Sequence, residues 1–377
     1  VSAQGRADRG ARRSRVAARL QADGIGAALF EDVEGRRDPA VRYLTGQPGD
    51  ALLVVAADGR SVLIAWDITL ARLLASADEI LAYNDFARIP IRALAEALAR
   101  LGIPAGSKVE LPSTLAYPRF IDYVEGLADY DLVCRRDGID AEVNACRSIK
   151  DESEIAIIRK ASGITNGLID VIEDAVRSGK AETELDVALL IERSAREAGC
   201  EGLGFETLAA GPARSWGIHA FPSYGSSPFA TEGLSILDFG LRLEGYTTDV
   251  TMSFARGALG READRMLSLV ERVHDESIAM LAPGVSCREV ARAADEAFEA
   301  AGYSMPHALG HGIGLEAHEA PTLRNREDNV DLLAAGQVVT VEPGLYHPEL
   351  GGLRYEDDVL ITESGREVLT KSRIVRL

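Results

Sequence analysis

Two parts of the chain put carboxylates inside apolar runs. In SILDFGLRLEGYTTDVTMSF, residues 235–254, Asp238 and Asp249 each lie in an apolar or β-branched stretch, on either side of a glycine-containing turn. GQVVTVEPGLY (336–346) sets Glu342 at the end of another such stretch, and GGLRYEDDVLIT (351–362) sets Glu356 in the next. Runs of this composition read as strands, and strands paired in a hairpin lie about 4.8 Å apart. Inward-facing carboxylates that close repel, and burying them is costly unless a cation sits between them. A single Asp or Glu in a strand is ordinarily an edge residue, but the same arrangement twice is a different matter. Four carboxylates and one imidazole suffice for two divalent metal ions. Hard oxygen donors with a minority of nitrogen favour Mn²⁺, Co²⁺ or Zn²⁺ over a thiolate-bound structural metal.

The imidazole is offered by HALGHGIGLEAHE, residues 307–319, which holds three of the six histidines. His307 and His311 are four apart, but the Glu of H-E-x-x-H is missing and Gly312 and Gly314 weaken a helix, so a zincin is not indicated. Gly310, Gly312 and Gly314 match neither nucleotide fingerprint, and no Lys-Ser or Lys-Thr follows. Glycines here suit a close approach of backbone or substrate.

The elements that must hold these residues form two groups. The first third alternates patterns: a basic amphipathic helix over 9–23, strands at 27–31, 51–56 and 61–66 with the last two joined at Asp58-Gly59, helices at 67–76 and 89–101, and strands at 79–83 and 108–111. This predicts a small α/β domain with no catalytic constellation of its own. A new unit starts near Asn144. Asp151 followed by Glu154 is a capping pattern that opens a helix to about Ala175. Helices over 181–198, 261–282 and 287–301 alternate with strands, an order that hints at two similar halves.

At 377 residues the chain suits two domains. No apolar run is long enough to span a membrane and no signal-peptide pattern opens the sequence, so the expectation is a cytoplasmic protein. A net charge of −18, with basic residues clustered only at Arg6, Arg9, Arg12, Arg13 and Arg15, argues against nucleic-acid binding. Cys134, Cys146, Cys200 and Cys287 lack any C-x-x-C spacing and read as buried thiols in a reducing compartment.

Asp238, Asp249, His311, Glu342 and Glu356 together resemble the ligand set of the pita-bread metallopeptidases: aminopeptidase P, prolidase and methionine aminopeptidase. The matching text is RSIKDESEI (147–155), GFETLAAGP (204–212), DFG…GYTTDVT (238–251), HALGHGIGLEAHE, TVEPGLY (340–346) and RYEDDVLIT (354–362). Over the first 140 residues YLTG (43–46) and the α/β pattern resemble the creatinase-type N-terminal domain. The resemblance implies an N-terminal α/β domain over 1–143 and an α+β catalytic domain over 144–377 whose pseudo-twofold halves sandwich the metals.

It further implies that Asp238 chelates one metal, Asp249 and Glu356 bridge both, and His311 and Glu342 complete the other. Glu342 would also handle the proton of the attacking water, His318 would donate to the reacting carbonyl oxygen, His219 would face the substrate and His307 would line the pocket. Arg354 would support a ligand or meet a substrate carboxylate, and Thr251 would support a bridging carboxylate. Tyr246 reads equally well as hairpin packing, and His274 and His347 lie outside any motif.

The implied reaction is hydrolysis of the N-terminal peptide bond of a short peptide, preferentially Xaa-Pro, by a homodimer. One departure stands out: proline-specific relatives read D-x-T-R where this chain has Asp249-Val250-Thr251-Met252. A creatinase-like hydrolase of small amides or amidines, or a non-catalytic binding module, are the alternatives on the same fold. Intact ligand positions argue against both.

Overall fold

The computed structural model describes residues 3–377, with side chains from residue 8 onward, so the side chain of Arg6 lies outside the described residues. The chain divides into two compact units, Val1–Arg147 and Ser148–Leu377. The position between 143 and 144 falls inside the helix Ile139–Ser148.

The first unit is built on a six-stranded mixed sheet in the order Glu79–Ala82, Ser61–Ala65, Ala51–Ala56, Ala27–Asp32, Lys108–Glu110, Asp131–Val133. Its central strands are buried along their whole length, which explains their unbroken apolar text. Gly59, at φ 88°, makes the turn between two of them. Three helices beyond the sequence pattern appear. Pro39–Thr45 is capped by Asp38, whose side chain accepts from the Ala40 N–H, and Tyr117–Gly126 and Ile139–Ser148 follow. Cys146, Cys200 and Cys287 are buried, but Cys134 is exposed, because it sits just past the short edge strand Asp131–Val133.

The second unit has two halves of one plan. In the first, helices Glu152–Arg177 and Glu184–Glu197 cover a four-stranded sheet ordered Ile374–Arg376, Val250–Arg256, Gly233–Phe239, Leu208–Ala210. In the second, helices Arg261–Met280 and Cys287–Ala300 accompany a five-stranded sheet ordered Glu319–Leu323, Gly310–Gly312, Val338–Val341, Asp357–Thr362, Gly365–Val368. Each half closes its own apolar core. The first helix begins as the capping pattern requires: Asp151 accepts from the Ser153 and Glu154 N–H groups, and Glu154 accepts from Asp151 N–H. Tyr246 donates to Glu154 at 2.8 Å, so it packs the hairpin onto this helix start.

Alternation along the strands decides what faces the site. Gly233–Phe239 and Val250–Arg256 pair antiparallel, with Asp238 opposite Thr251 and Leu237 opposite Met252. Successive side chains point to opposite faces. Leu237, Phe239, Val250, Met252 and Phe254 therefore enter the helix-covered core, while Thr251 and Ser253 hydrogen-bond Glu356 and the Arg354 backbone. Thr251 and Glu356 also form a β-bridge that joins the two halves.

Candidate metal centre

Asp249 immediately precedes the strand Val250–Arg256, and Glu356 immediately precedes Asp357–Thr362. Both are buried. Together with His311 from Gly310–Gly312 they offer ligand atoms that all lie within 4.8 Å of one another. Glu342 follows the strand Val338–Val341, and its Oε1 is 3.5 Å from His311 Nε2, while Asp249 Oδ2 is 3.9 Å from the same nitrogen. Asp238 is held differently. Its Oδ2 meets Arg354 Nη2 at 2.5 Å, and its Oδ1 is buried with no hydrogen-bond partner among the described residues.

His311 owes its orientation to the backbone. Its Nδ1 lies 3.1 Å from the Gly312 carbonyl, so that nitrogen carries the proton and Nε2 turns an unprotonated lone pair toward the carboxylates. Burial pushes its pKa down to about 4, aided by the nearby His318. The flanking glycines permit the close packing. A Cβ on Gly310 would sit 2.0 Å from the Thr340 carbonyl oxygen, and one on Gly312 would sit 2.2 Å from that of Ala320.

Burial raises the pKa of Asp249 well above the usual carboxylate range, and Glu356, Asp238, Asp358 and Glu342 add repulsion. Glu356 is likewise raised by burial, then by Glu342 and Asp238. Glu342 is pushed up to about 7 by burial, with Arg354 opposing and Asp238 adding. A divalent ion held among these groups would relieve both desolvation and repulsion. The orphaned Asp238 Oδ1 and the unprotonated His311 Nε2 fit the same demand, so the donor set suits a hard divalent cation.

Around this centre runs a network that joins Arg354, Thr251 and His307 to Tyr346, a residue given no role by the sequence motifs. Arg354 is buried and engaged on all three nitrogens: Nε donates to Thr251 Oγ1 (3.0 Å), Nη1 to Tyr346 Oη (2.9 Å) and the Ile218 carbonyl (3.2 Å), and Nη2 to Asp238. Burial opposes its charge, yet Tyr346, Asp238, Glu342 and Glu356 hold its pKa well above the ordinary value. Its place is beside the ligands rather than out in solvent. Thr251 Oγ1 in turn donates to Glu356 Oε2 at 2.7 Å. Tyr346 also meets His307 Nε2 at 3.0 Å, while His307 Nδ1 lies 2.8 Å from the Ala308 carbonyl. Burial lowers the His307 pKa to about 4.

Asp358 accepts from the Asp249 N–H at 3.0 Å. It lies two residues past Glu356 and so shares its face, a parity that was readable in the sequence. Tyr346 carried only its nearness to Glu342 as a signal.

His318 is exposed, its ring 4.1 Å from that of His311. His219 is exposed and close enough to His307 to act on its charge. His274 stacks on Tyr355 at 3.7 Å with Nε2 3.3 Å from Asp357, and His347 is exposed, its Nδ1 accepting from the Glu349 N–H.

The metallopeptidase family M24 pattern matches residues 156–363, and the creatinase/prolidase N-terminal domain pattern matches residues 12–126. An uncharacterized peptidase of Staphylococcus epidermidis is 32% identical over 243 residues, 62% of this chain; the chain spans 65% of that relative's length. The solved Xaa-Pro dipeptidase from Bacillus anthracis is similar with a TM-score of 0.85 and 27% identity, over 97% of this chain and 99% of that one. The X-Pro aminopeptidase from Thermotoga maritima MSB8 gives 0.81 and 27%, over 94% and 98%. With the family pattern covering more than half of the 377 residues, and buried Asp249, His311 and Glu356 at its centre, the chain belongs to metallopeptidase family M24.

Proposed function

We propose that this chain hydrolyses the N-terminal peptide bond of short peptides, preferentially Xaa-Pro, using two divalent cations, Mn²⁺ foremost. The observation that carries the reading is the buried cluster of Asp249, His311 and Glu356 with Glu342 against it. Asp238, Asp249, His311, Glu342 and Glu356 would hold the cations. When bound, they supply an acidified water as nucleophile and polarise the scissile carbonyl.

The chain's own groups do the rest. Glu342, against His311 at the edge of the cluster, would take the proton of the attacking water and return it to the leaving nitrogen. His318, exposed beside His311, is suited to donate to the developing oxyanion. His219 and His307 face the substrate, with Tyr346 and Arg354 fixing His307 and Asp238. Arg354 acts by holding Asp238, because its burial leaves little access for a substrate carboxylate.

Met252 lies fully buried in the helix-covered core, on the strand face opposite Thr251. The similarity to the Bacillus anthracis and Thermotoga maritima enzymes supports the Xaa-Pro preference. The family resemblance supports a homodimer and a creatinase-type N-terminal domain ahead of the catalytic one. The free cysteines suit a cytoplasmic location, and no helix of the described residues is long and apolar enough to cross a membrane.

The test is to strip metal with a chelator, restore Mn²⁺, Co²⁺ or Zn²⁺ separately, and assay Xaa-Pro, Xaa-Pro-Yaa, Met-Ala and creatine-like substrates together. Metal-restored cleavage with Xaa-Pro ahead of Met-Ala is expected. Absence of metal-dependent cleavage of any peptide would overturn the reading.

A further inference from the structure

Glu184, the first residue of the helix Glu184–Glu197, is fully buried away from the centre. Its Oε1 accepts from Gly211 N–H (2.9 Å) and Arg214 Nε (3.1 Å), and its Oε2 accepts from Arg214 Nη2 (2.7 Å) and Gly225 N–H (2.9 Å). A buried carboxylate with four hydrogen bonds, two of them from one guanidinium, is well satisfied, and it is rigid. What it ties together is the two ends of one loop, 211–225. Arg214 extends the frame through Nη1 to the Pro222 carbonyl at 2.8 Å.

The middle of that loop carries His219. There the loop meets the centre directly, since Arg354 Nη1 donates to the Ile218 carbonyl. Ser215 adds a second anchor, donating to the Leu234 carbonyl at 2.7 Å and accepting from Gly352 N–H at 3.0 Å. Among the described residues, the loop's share in the apolar cores is confined to Ala220 and the partly buried Tyr224. Trp216 is 50% exposed and Phe221 is 95% exposed. A segment with few buried apolar groups opens readily unless hydrogen bonds hold it.

We propose that the Glu184–Arg214 pair is a positioning device for His219: it closes the base of the 211–225 loop and so sets where that imidazole meets the substrate. The pair acts through His219 and touches no reacting atom. The inference rests on the substrate-facing reading of His219.

The experiment is a double-mutant cycle in the manganese-loaded enzyme with an Xaa-Pro dipeptide, comparing wild type, Glu184→Gln, His219→Ala and the double variant. KM and kcat, bound manganese and hydrogen exchange over 211–225 are read for each. Glu184→Gln is expected to lower kcat/KM by about ten- to a hundredfold, the scale on which small misplacements act. The loss should fall on the same parameter, KM or kcat, as in His219→Ala. Bound manganese should be unchanged, loop exchange should rise, and the double variant should be no worse than His219→Ala alone.

Losses that multiply in the double variant would overturn the proposal, as would a Glu184→Gln enzyme with wild-type kinetics. If His219→Ala itself costs nothing, the substrate-facing reading fails and the proposal with it; if it costs activity without coupling, only the proposal fails. Should Glu184→Gln not fold, Arg214→Gln, which leaves both backbone donors on Glu184, takes its place in the same cycle.

Discussion

In the first half of the catalytic unit the strand beside Gly233–Phe239 is Leu208–Ala210; in the second half the strand beside Val338–Val341 is Gly310–Gly312. The carboxylates of the two halves arise at matching places, just before or near the end of paired central strands. The third strands differ completely. Leu208, Ala209 and Ala210 are buried apolar residues, whereas the second half presents His311 between two glycines. The second half also sends Arg354 across to Asp238 of the first. A repeated scaffold therefore supplies like charges, and unlike neighbours break the symmetry, giving the site one imidazole and one guanidinium on chosen sides.

The largest effect that could break this comparison lies in the second half. Either Glu342→Ala or His311→Ala is expected to lower turnover to below a few per cent of wild type, with an unchanged circular-dichroism spectrum, in line with loss of a ligand or acid–base group worth about 10²-fold or more. Activity above that level in either variant removes the assigned role.

Next comes Arg354→Met, which leaves Asp238 largely buried and unpaired. A loss of about 3–5 kcal/mol in urea unfolding of the metal-free protein is expected. A change under about 1 kcal/mol would mean that the cross-half pair is dispensable for the fold.

The third strands can be compared directly. Gly310→Ala forces a methyl against the Thr340 carbonyl and should cost about 1–3 kcal/mol, while Ala209→Gly in the first half should cost about 0.5–1 kcal/mol. Equal costs would show that the close approach is not special to the His311 strand. The smallest effect is assigned to Met252→Leu: a stability change under about 1.5 kcal/mol and an unaltered ratio of Xaa-Pro to Met-Ala cleavage. A shifted ratio would return position 252 to the substrate site.

Much of this was legible because local rules carried it. The Asp151 and Glu154 capping box, the four helices of the catalytic unit and the turn at Gly59 follow from short-range chemistry and appear where the pattern puts them. The helix Pro39–Thr45 carried a readable signal too, since Asp38 followed by proline is an N-terminal cap with its first helical residue. Its shortness hid it. Met252 was noticed only as a departure from the D-x-T-R pattern, although strand parity alone puts it on the face opposite Thr251, in the core.

The sequence by itself determined which residue types were available for a metal centre and which strands they lie on or flank, because alternation and capping are properties of neighbours a few residues apart. Only the tertiary structure decided who meets whom. Asp249, His311 and Glu356 are brought within 4.8 Å, Arg354 is committed to Asp238, Thr251 and Tyr346, and Glu184 closes a loop from 27 residues away. The partnerships among Asp249, His311, Glu356 and Arg354 depend on packing two sheets across a bridge at Thr251 and Glu356, and the cost of burying charge then selects the arrangement in which each group finds its partner.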